Sequence, residues 1–280
     1  MNGQNEVNEL ERLKSMARRI RRRILDMSYS AGSSGAHLGG ALSIVELLSV
    51  LYGSVLRYDA KNPDWEERDR FILSKGHTGL ALYAALAEVG ILSSEEIDSF
   101  QKNESNFTTH PIINRKKGIE FSTGSLGMGL SLGLGVALAA KMRSQKYCIF
   151  VCLGDGECNE GSVWESAMAA ANFQLDNLIA IVDKNALQAS GKTNKIMNND
   201  NIEVKWNSFG WNVINSNGND IEQLLHAFDK YIPNNKPYVF ILETIKGYGF
   251  TFSENNASWH HGVMSKSQYD AAVAEFENHK

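Results

Sequence analysis

The first third of the chain carries apolar side chains at helical spacing. They recur every three or four positions, which is the pattern of a helix with one buried face. Helices are predicted over residues 6–29, 43–56 and 79–89, and a short one follows the capping-type start Ser93-Ser94-Glu95-Glu96. This part of the chain is therefore expected to be mainly helical.

From residue 146 onward the pattern changes to short β-branched or aromatic runs that alternate with helical segments. The predicted strands cover residues 147–153, 178–182, 211–215 and 238–243, and the helices between them cover 162–172, 202–208 and 221–230. Such alternation is typical of a parallel sheet. We predict an α/β fold, a mainly parallel sheet with helices on both faces. It forms one domain over residues 1–280, with helical additions at both ends.

Composition and charge restrict the kind of partner. The 280 residues carry a formal net charge of −4, which gives no general attraction to nucleic acid. One basic run lies in the first predicted helix, and we interpret it as a solvated or interface face rather than a nucleic-acid or lipid site. Its members are Arg18, Arg19, Arg21, Arg22 and Arg23.

Targeting signals and cysteines give further expectations. Polar and charged residues stand where a secretory signal would have its apolar core, so a reducing cytoplasm is expected. The apolar stretch 122–140 contains five glycines and is not expected to span a membrane. Cys148, Cys152 and Cys158 are expected to be small buried core residues, because zinc ligands come in closer pairs and usually number four.

Two glycine-rich turns in the first third each contain a histidine. They are Ser34-Gly35-Ala36-His37-Leu38-Gly39-Gly40 and Ser74-Lys75-Gly76-His77. A histidine in such a turn exposes its imidazole, although either turn alone is as readily explained as loop punctuation. The same arrangement occurs twice, so both histidines are candidates for a functional site.

Polar side chains also follow two successive predicted strands. Gly154-Asp155-Gly156 comes directly after the first, and Asn185 comes after the next, about one strand–helix–strand unit later. Ligands of parallel sheets gather at the carboxyl ends of strands. An aspartate carboxylate, an amide oxygen, a main-chain carbonyl, two phosphate oxygens and a water would complete an octahedral Mg²⁺ site. These segments therefore predict a site for a metal-bound diphosphate.

The combined pattern resembles thiamine diphosphate enzymes, whose diphosphate-binding domain has a Gly-Asp-Gly strand end followed by an asparagine. Among them it resembles the transketolase family, and most of all the N-terminal subunit of split, two-subunit transketolases. The match extends over nearly the whole chain. Its pieces are the turns with His37 and His77, His110-Pro111, residues 118–127, the span from Gly154 to Asn185 with Glu160 and Glu165, and Trp259-His260-His261-Gly262.

The resemblance implies a metal and a cofactor. Asp155, Asn185 and the backbone carbonyl of Leu187 correspond to the ligands of Mg²⁺, for which Ca²⁺ or Mn²⁺ can substitute. The cofactor is thiamine diphosphate. The residues that correspond to its contacts are His77, Gly124, Leu126, Gly154, Asp155, Gly156, Glu160, Asn185, Leu187 and His261.

The resemblance also implies a reaction, the transfer of a two-carbon ketol unit from a ketose to an aldose. The residues implied to act in it are His37, His77, His110, His261 and Glu160. His37 and His110 correspond to histidines that hydrogen-bond donor and acceptor hydroxyls, and His261 to one between the diphosphate and the sugar. Glu160 and Glu165 correspond to an acidic cluster between paired active sites. The implied partner is a C-terminal subunit with the pyrimidine-binding domain, in an α2β2 heterotetramer.

Several positions depart from the family pattern. Full-length members often have Pro where Ser125 stands, Gln where Met128 stands, and larger residues at Ala186 and Ala189, so the pocket is expected to be wider. Of the neighbours His260 and His261, only His261 is expected to face inward. Three alternatives stay open. They are the alpha subunit of a 2-oxo-acid dehydrogenase or decarboxylase, a deoxyxylulose-phosphate synthase-like enzyme, and a non-catalytic partner module.

Overall fold

A five-stranded parallel sheet lies at the centre of the molecule, of which a computed structural model describes residues 3–278. Its strands are β1 (Arg70–Leu73), β2 (Ile149–Gly154), β3 (Leu178–Lys184), β6 (Asn212–Asn217) and β7 (Tyr238–Glu243). The order across the sheet is β1-β2-β3-β7-β6, and every neighbouring pair is parallel. A small antiparallel hairpin joins β4 (Leu187–Gln188) to β5 (Gly191–Lys192). The predicted parallel sheet is confirmed.

Helices cover both faces of this sheet. In chain order they are α1 (Gly3–Ser30), α2 (Leu38–Leu42), α3 (Val45–Val50), α4 (Gly79–Glu88), α5 (Ser94–Asp98), α6 (Met128–Met142), α7 (Gly161–Asn172), α8 (Thr193–Ile196), α9 (Ile202–Ser208), α10 (Ile221–Phe228) and α11 (Lys266–Asn278). Alternate side chains of β2 point to opposite faces of the sheet and belong to two hydrophobic cores. Phe150 and Cys152 pack with α1 to α4, while Val151 packs with α6, α7 and α9. The α/β prediction with helices on both faces is therefore confirmed.

The segment 43–56 differs from the sequence expectation of one continuous helix. The structure instead has α3 there, followed by a π-helical turn over Leu51–Val55. Gly53 lies in this turn, and a Cβ there would clash with the Leu13 side chain. α1 approaches this turn closely, and the packing leaves no room for a larger residue at position 53.

The apolar stretch that starts near residue 122 forms α6, which packs on the sheet. Gly133 lies against β2, and a Cβ on it would come within 2.5 Å of Val151 Cγ2. The glycines thus allow close helix–sheet packing. Within residues 3–278, no helix combines the length and the hydrophobicity that a membrane span requires.

The basic run in α1 is only partly solvated. Arg21 pairs with Glu46, and its side chain is 11% exposed. Arg19 and Arg23 both pair with Glu88 of α4. The expectation of a solvated face is therefore wrong for Arg21, because α3 supplies a buried carboxylate that the local pattern of α1 does not reveal.

The three cysteines are free thiols. Cys152 and Cys158 are buried, as predicted, and Cys148 is half-buried with its sulfur 3.4 Å from the Tyr231 hydroxyl. Burial raises the pKa of Cys152 to about 12, which keeps this thiol protonated and unreactive at neutral pH.

Candidate functional site

A cavity of about 370 Å³ opens at the carboxyl ends of β2 and β3. This is the edge at which parallel sheets bind ligands. Among the described residues, every member of the predicted cofactor and metal set except His261 lines it. The fold therefore brings together segments that lie more than 100 positions apart in the sequence, from His77 to Leu187.

Asp155 joins the ends of two strands. It follows β2 directly, and its backbone nitrogen donates to the Asp183 carbonyl at 3.2 Å. Its Oδ1 accepts from the Gly156 nitrogen at 2.8 Å and its Oδ2 accepts from the Ala186 nitrogen at 2.7 Å. Burial, with a smaller effect of Asp183, raises its pKa to about 6. A carboxylate has about four acceptor positions, so both oxygens retain capacity for a cation.

Asn185 and Leu187 continue the same edge. The Asn185 Oδ1 accepts from the Leu187 nitrogen at 3.1 Å, and its Nδ2 donates to Asp183 Oδ2 at 2.9 Å. The Leu187 carbonyl accepts from Lys246 Nζ at 3.0 Å. An amide oxygen, a carbonyl and a carboxylate are the hard oxygen donors that Mg²⁺ prefers.

These donors fit a divalent cation that is also held by a ligand. Residues 3–278 contain no group of three or more His, Cys, Asp or Glu side chains arranged to hold a metal alone. The protein offers one carboxylate and two neutral oxygens, so phosphate oxygens and water must complete the coordination. In addition, Gln188 Oε1 is buried at the cavity wall and has no hydrogen-bond partner in the described chain. An orphaned acceptor at this place favours a ligand that donates to it.

Two lysines that the sequence analysis did not assign to the site lie at the cavity wall. Lys75 is 1% exposed, pairs with Asp183 and donates to the Gly40 carbonyl at 2.9 Å. Lys246 is also buried, and burial together with the charge of Lys75 lowers its pKa to about 8. Two buried ammonium groups fit an anionic ligand such as a diphosphate. The sequence feature that could have indicated these lysines is their position, since each lies within three residues of the end of a strand.

Five histidines gather beside these lysines. The His37 ring is the centre of the group, with ring centroids 4.6 Å from His261, 5.2 Å from His77, 5.3 Å from His260 and 6.1 Å from His110. Burial, with the neighbouring imidazoles, lowers the pKa of His37 to about 3, and burial with the charge of Lys246 lowers that of His260 to about 4. These imidazoles are therefore neutral at pH 7, and each can both donate and accept a hydrogen bond.

The structure corrects the prediction for His260. This side chain lines the cavity, with its Nδ1 3.1 Å from Lys246 Nζ, whereas His261 is exposed and touches the site through His37. The expectation that one of two neighbours must point away holds for an extended strand. His260 instead ends a 3₁₀ turn over Ala257–His260, and His261 follows it, so the strict alternation of a strand does not apply. Both rings contact the His37 ring.

Glu157 holds the glycine loop that leads into α6. Its carboxylate accepts from the Gly127 nitrogen at 2.8 Å, from the Gly154 nitrogen at 3.0 Å and from the Ser74 hydroxyl. It thus links the ends of β1 and β2 to the loop with Gly124 and Leu126. Gly124 has φ of 138°, and a Cβ on it would lie 2.5 Å from the His110 ring. The loop backbone therefore passes directly against a site histidine.

The two acidic residues of α7 lie at its start. Glu160 is the residue before the helix and lines the cavity, while Glu165 is exposed on the helix surface. Of the positions that depart from the family pattern, Ala189 lines the cavity next to Gln188, and Met128 is 47% exposed. The small side chain of Ala189 leaves space at this wall.

Fold and site together define the class of this protein, an α/β domain whose strand-end cavity has oxygen donors and buried ammonium groups that fit a phosphate-bearing ligand with a cation. The chain belongs to the family described as transketolase, thiamine diphosphate binding domain, whose model matches residues 13–276. The predicted family is therefore confirmed.

Two relatives of similar length are named as subunits of transketolases. The chain is 41% identical over 268 residues to an apulose-4-phosphate transketolase subunit of Phocaeicola vulgatus, a match that covers 95% of this chain and 94% of that one. It is also 41% identical over 242 residues to a 6-deoxy-6-sulfo-D-fructose transketolase subunit of a Clostridium species, covering 86% and 88%. The resemblance to the N-terminal subunit of a split transketolase is confirmed by these matches.

Full-length enzymes share the same fold. The chain superposes on transketolase from Leishmania mexicana with a TM-score of 0.85 and 25% identity, covering 95% of this chain and 41% of that one. It superposes on transketolase from Campylobacter jejuni with a TM-score of 0.85 and 27% identity, and this match covers 96% of this chain and 43% of that one. The chain thus spans about two fifths of the solved enzymes.

Proposed function

We propose that this chain is the diphosphate-binding subunit of a two-subunit transketolase, which transfers a two-carbon ketol unit from a ketose to an aldose. The observation that carries the proposal is the cavity itself, where hard oxygen donors, two buried ammonium groups and three histidines meet at the strand ends, with His37 and His261 packed beside them. The subunit relatives support it, because the chain matches them over nearly their full length. We treat residues 1–280 as one cofactor-binding domain.

The cofactor and metal would be held by groups already described. Asp155, Asn185 and the Leu187 carbonyl would ligate Mg²⁺, with Ca²⁺ or Mn²⁺ as substitutes. The Gly156 nitrogen and His77 would contact the diphosphate, with Lys75 and Lys246 balancing its charge. The Gly124 carbonyl and Leu126 would face the aminopyrimidine and the thiazolium. Thiamine diphosphate supplies a carbon nucleophile and an electron sink for breaking the bond beside a carbonyl.

The histidines would handle the hydroxyl protons of the sugars. A neutral imidazole accepts a proton at one nitrogen and donates one at the other, which is the task at both ends of a ketol transfer. His37 Nδ1 is buried and has no hydrogen-bond partner among the described residues, so no protein contact at this nitrogen fixes which tautomer the ring adopts. His110 and His261 flank it, and we assign these three to donor and acceptor hydroxyls. Glu160 would contact the cofactor and link the two active sites.

A partner subunit would cover the open side of this cavity. α6 is apolar around its whole circumference, although only part of it faces the sheet. Its outer surface includes Met128, Met142 at 79% exposure, and Gly135, where a Cβ would meet no atom within 4 Å. This surface runs from the cavity mouth at Leu126 along the helix. We propose that the pyrimidine-binding subunit docks there, in an α2β2 heterotetramer with Glu160 and Glu165 near the two-fold axis.

The donor and acceptor are sugars whose identity differs among relatives. The two subunit relatives carry names for different donors, one phosphorylated and one sulfonated, at the same 41% identity. Ala189 widens this wall, so a panel of ketoses must include both kinds. We place the protein in the cytoplasm on its three free cysteines. Nucleic acid and membranes are not proposed as partners.

The test is ketol transfer by the purified complex of this chain with its pyrimidine-domain subunit, in the presence of thiamine diphosphate and Mg²⁺. His37→Ala and His261→Ala should lower turnover by about 10²–10⁴-fold, the usual contribution of general acid–base groups. His226→Ala is the matched control, because this exposed histidine of α10 lies outside the cavity. Unchanged turnover in both site variants, or no ketol transfer from any ketose, would contradict the proposal.

A further inference from the structure

Asp183 lies beneath the cavity at the carboxyl end of β3 and is fully buried. Its Oδ2 accepts from Asn185 Nδ2 at 2.9 Å and from Lys75 Nζ, and the Ser43 hydroxyl lies 2.8 Å away. Its Oδ1 accepts from the Thr244 hydroxyl. These groups come from the ends of β1, β3 and β7 and from the end of α2. A single carboxylate therefore ties together the strand ends that surround the site.

This contact settles which way the Asn185 amide faces. An ionised carboxylate only accepts hydrogen bonds, so the group facing Asp183 must be the amide nitrogen and not the oxygen. Oδ1 is then directed to the other side, where the Leu187 nitrogen and the cavity lie. The amide nitrogen cannot ligate a cation, and a flipped amide would present that nitrogen to the metal. The orientation of the Asn185 amide, and with it the availability of its oxygen to the metal, therefore depends on Asp183.

We propose that Asp183 is a positioning residue for the cation site, one that fixes the Asn185 amide with its oxygen toward the metal and holds Lys75 beside it. This inference rests on the proposed function. Asp183 touches neither metal nor substrate, and it acts through the two side chains it binds. Because one oxygen of the carboxylate serves both Asn185 and Lys75, the metal ligand and the ammonium group are set in place together.

The experiment exchanges the two ends of this hydrogen bond. Mn²⁺ binding is measured by water-proton relaxation on the thiamine diphosphate complex in the presence of the partner subunit. Asp183→Ala, which leaves no acceptor for the Asn185 amide, should weaken Mn²⁺ binding by about 10–100-fold, the usual effect of losing an outer-shell partner of a metal ligand. Asn185→Asp should also weaken it, because two carboxylates then face each other. The double variant Asp183→Asn with Asn185→Asp restores a donor–acceptor pair in reverse and should recover most of the affinity.

Thr244→Val is the matched control. It removes a hydrogen bond from the same carboxylate but leaves the Asn185 contact, so Mn²⁺ affinity should stay within about twofold of the wild-type value. Folded Asp183→Ala with unchanged Mn²⁺ affinity would overturn the proposal. If that variant does not fold, a double variant that binds Mn²⁺ no better than Asn185→Asp overturns it. A wild-type complex that binds no Mn²⁺ would instead overturn the proposed function as well.

Discussion

At the scale of single residues, the site is a group of charges that the fold keeps out of water. Burying an ammonium group is costly unless negative charge accompanies it. Lys75 forms an ion pair with Asp183, whereas Lys246 contacts a neutral carbonyl and an imidazole nitrogen. Its lowered pKa of about 8 reflects burial first and the charge of Lys75 second. An anionic ligand in the cavity would supply the missing negative charge, so this lysine is stabilised most when the site is filled.

Replacement of Asp155 tests the metal assignment. Asp155→Ala removes the only charged oxygen among the three proposed ligands, so Mn²⁺ binding with thiamine diphosphate should weaken by on the order of 100-fold or more, since even outer-shell partners contribute about 10–100-fold. Asp220→Ala is the control, since it removes a carboxylate that caps α10 and should cost only about 1 kcal/mol of stability. Calorimetry on the complex that finds equal affinity for both variants would refute the assignment.

The lowered histidine pKa values predict a loss of stability in acid. Folded His37, His77 and His260 have pKa values of about 3, 2 and 4, lowered from 6.5 by burial. Between pH 6.5 and about 4 the unfolded chain binds protons at these positions and the folded chain does not. The free energy of unfolding should therefore fall as pH falls through this window.

Urea unfolding at about pH 7, 6 and 5 checks this expectation. The midpoint should fall toward the acid end, and it should fall less steeply in His77→Gln, which removes one of the three groups. His226→Gln again serves as the control, because this exposed histidine is outside the cluster. A pH dependence that is identical in the wild type and in His77→Gln would show that the buried histidine does not contribute.

At the scale of elements, apolar runs predicted β2, β3, β6 and β7, but the helix α6 was not among the predicted helices. β7 matches its predicted range, and α9 does as well. β1 was missed, because its four residues are too short to show a period, and it is recognised as a strand only through its pairing with β2. The site residues that were missed have the same explanation. The burial of Lys75, Lys246 and Asp183 depends on neighbours that are distant in the sequence. A local sequence pattern carries no information about such neighbours.

The outer face of α6 gives a prediction at this scale. Gly135→Arg places a charged side chain in open space, and replacing a helical glycine should raise helix stability by up to about 1 kcal/mol. The isolated chain should therefore fold normally. Association with the partner subunit should be lost, because the arginine would occupy the proposed docking face.

Ile232→Arg is the matched control for this variant. Ile232 is 67% exposed and precedes β7, at the opposite end of the strands from the cavity, so the same added charge should leave association unchanged. Analytical ultracentrifugation of each variant mixed with the partner gives the readout. Assembly by Gly135→Arg at wild-type affinity would place the interface elsewhere.

At the scale of the whole molecule, the proposed function makes the cavity one half of a binding site. Its described walls come from strand ends, loops and short helical turns, and Leu126 at its mouth is apolar and 40% exposed. The solved relatives are more than twice as long as this chain, and under the proposed function the partner subunit supplies the remainder. Activation of thiamine diphosphate requires a carboxylate at the pyrimidine ring, and in the transketolase family a separate domain carries that group.

The isolated chain should therefore bind thiamine diphosphate weakly and transfer no ketol unit. Its own contacts are directed at the diphosphate and the cation, so they provide part of the binding energy and none of the pyrimidine pocket. When the partner subunit is titrated into this chain, cofactor affinity and turnover should both rise and should reach their maxima at the same ratio of the two subunits. Both quantities depend on one completed site. Inorganic pyrophosphate with Mg²⁺ is the control ligand, since it needs only the groups of this chain and should bind with and without the partner. Full turnover by the isolated chain on any ketose would refute the two-subunit proposal.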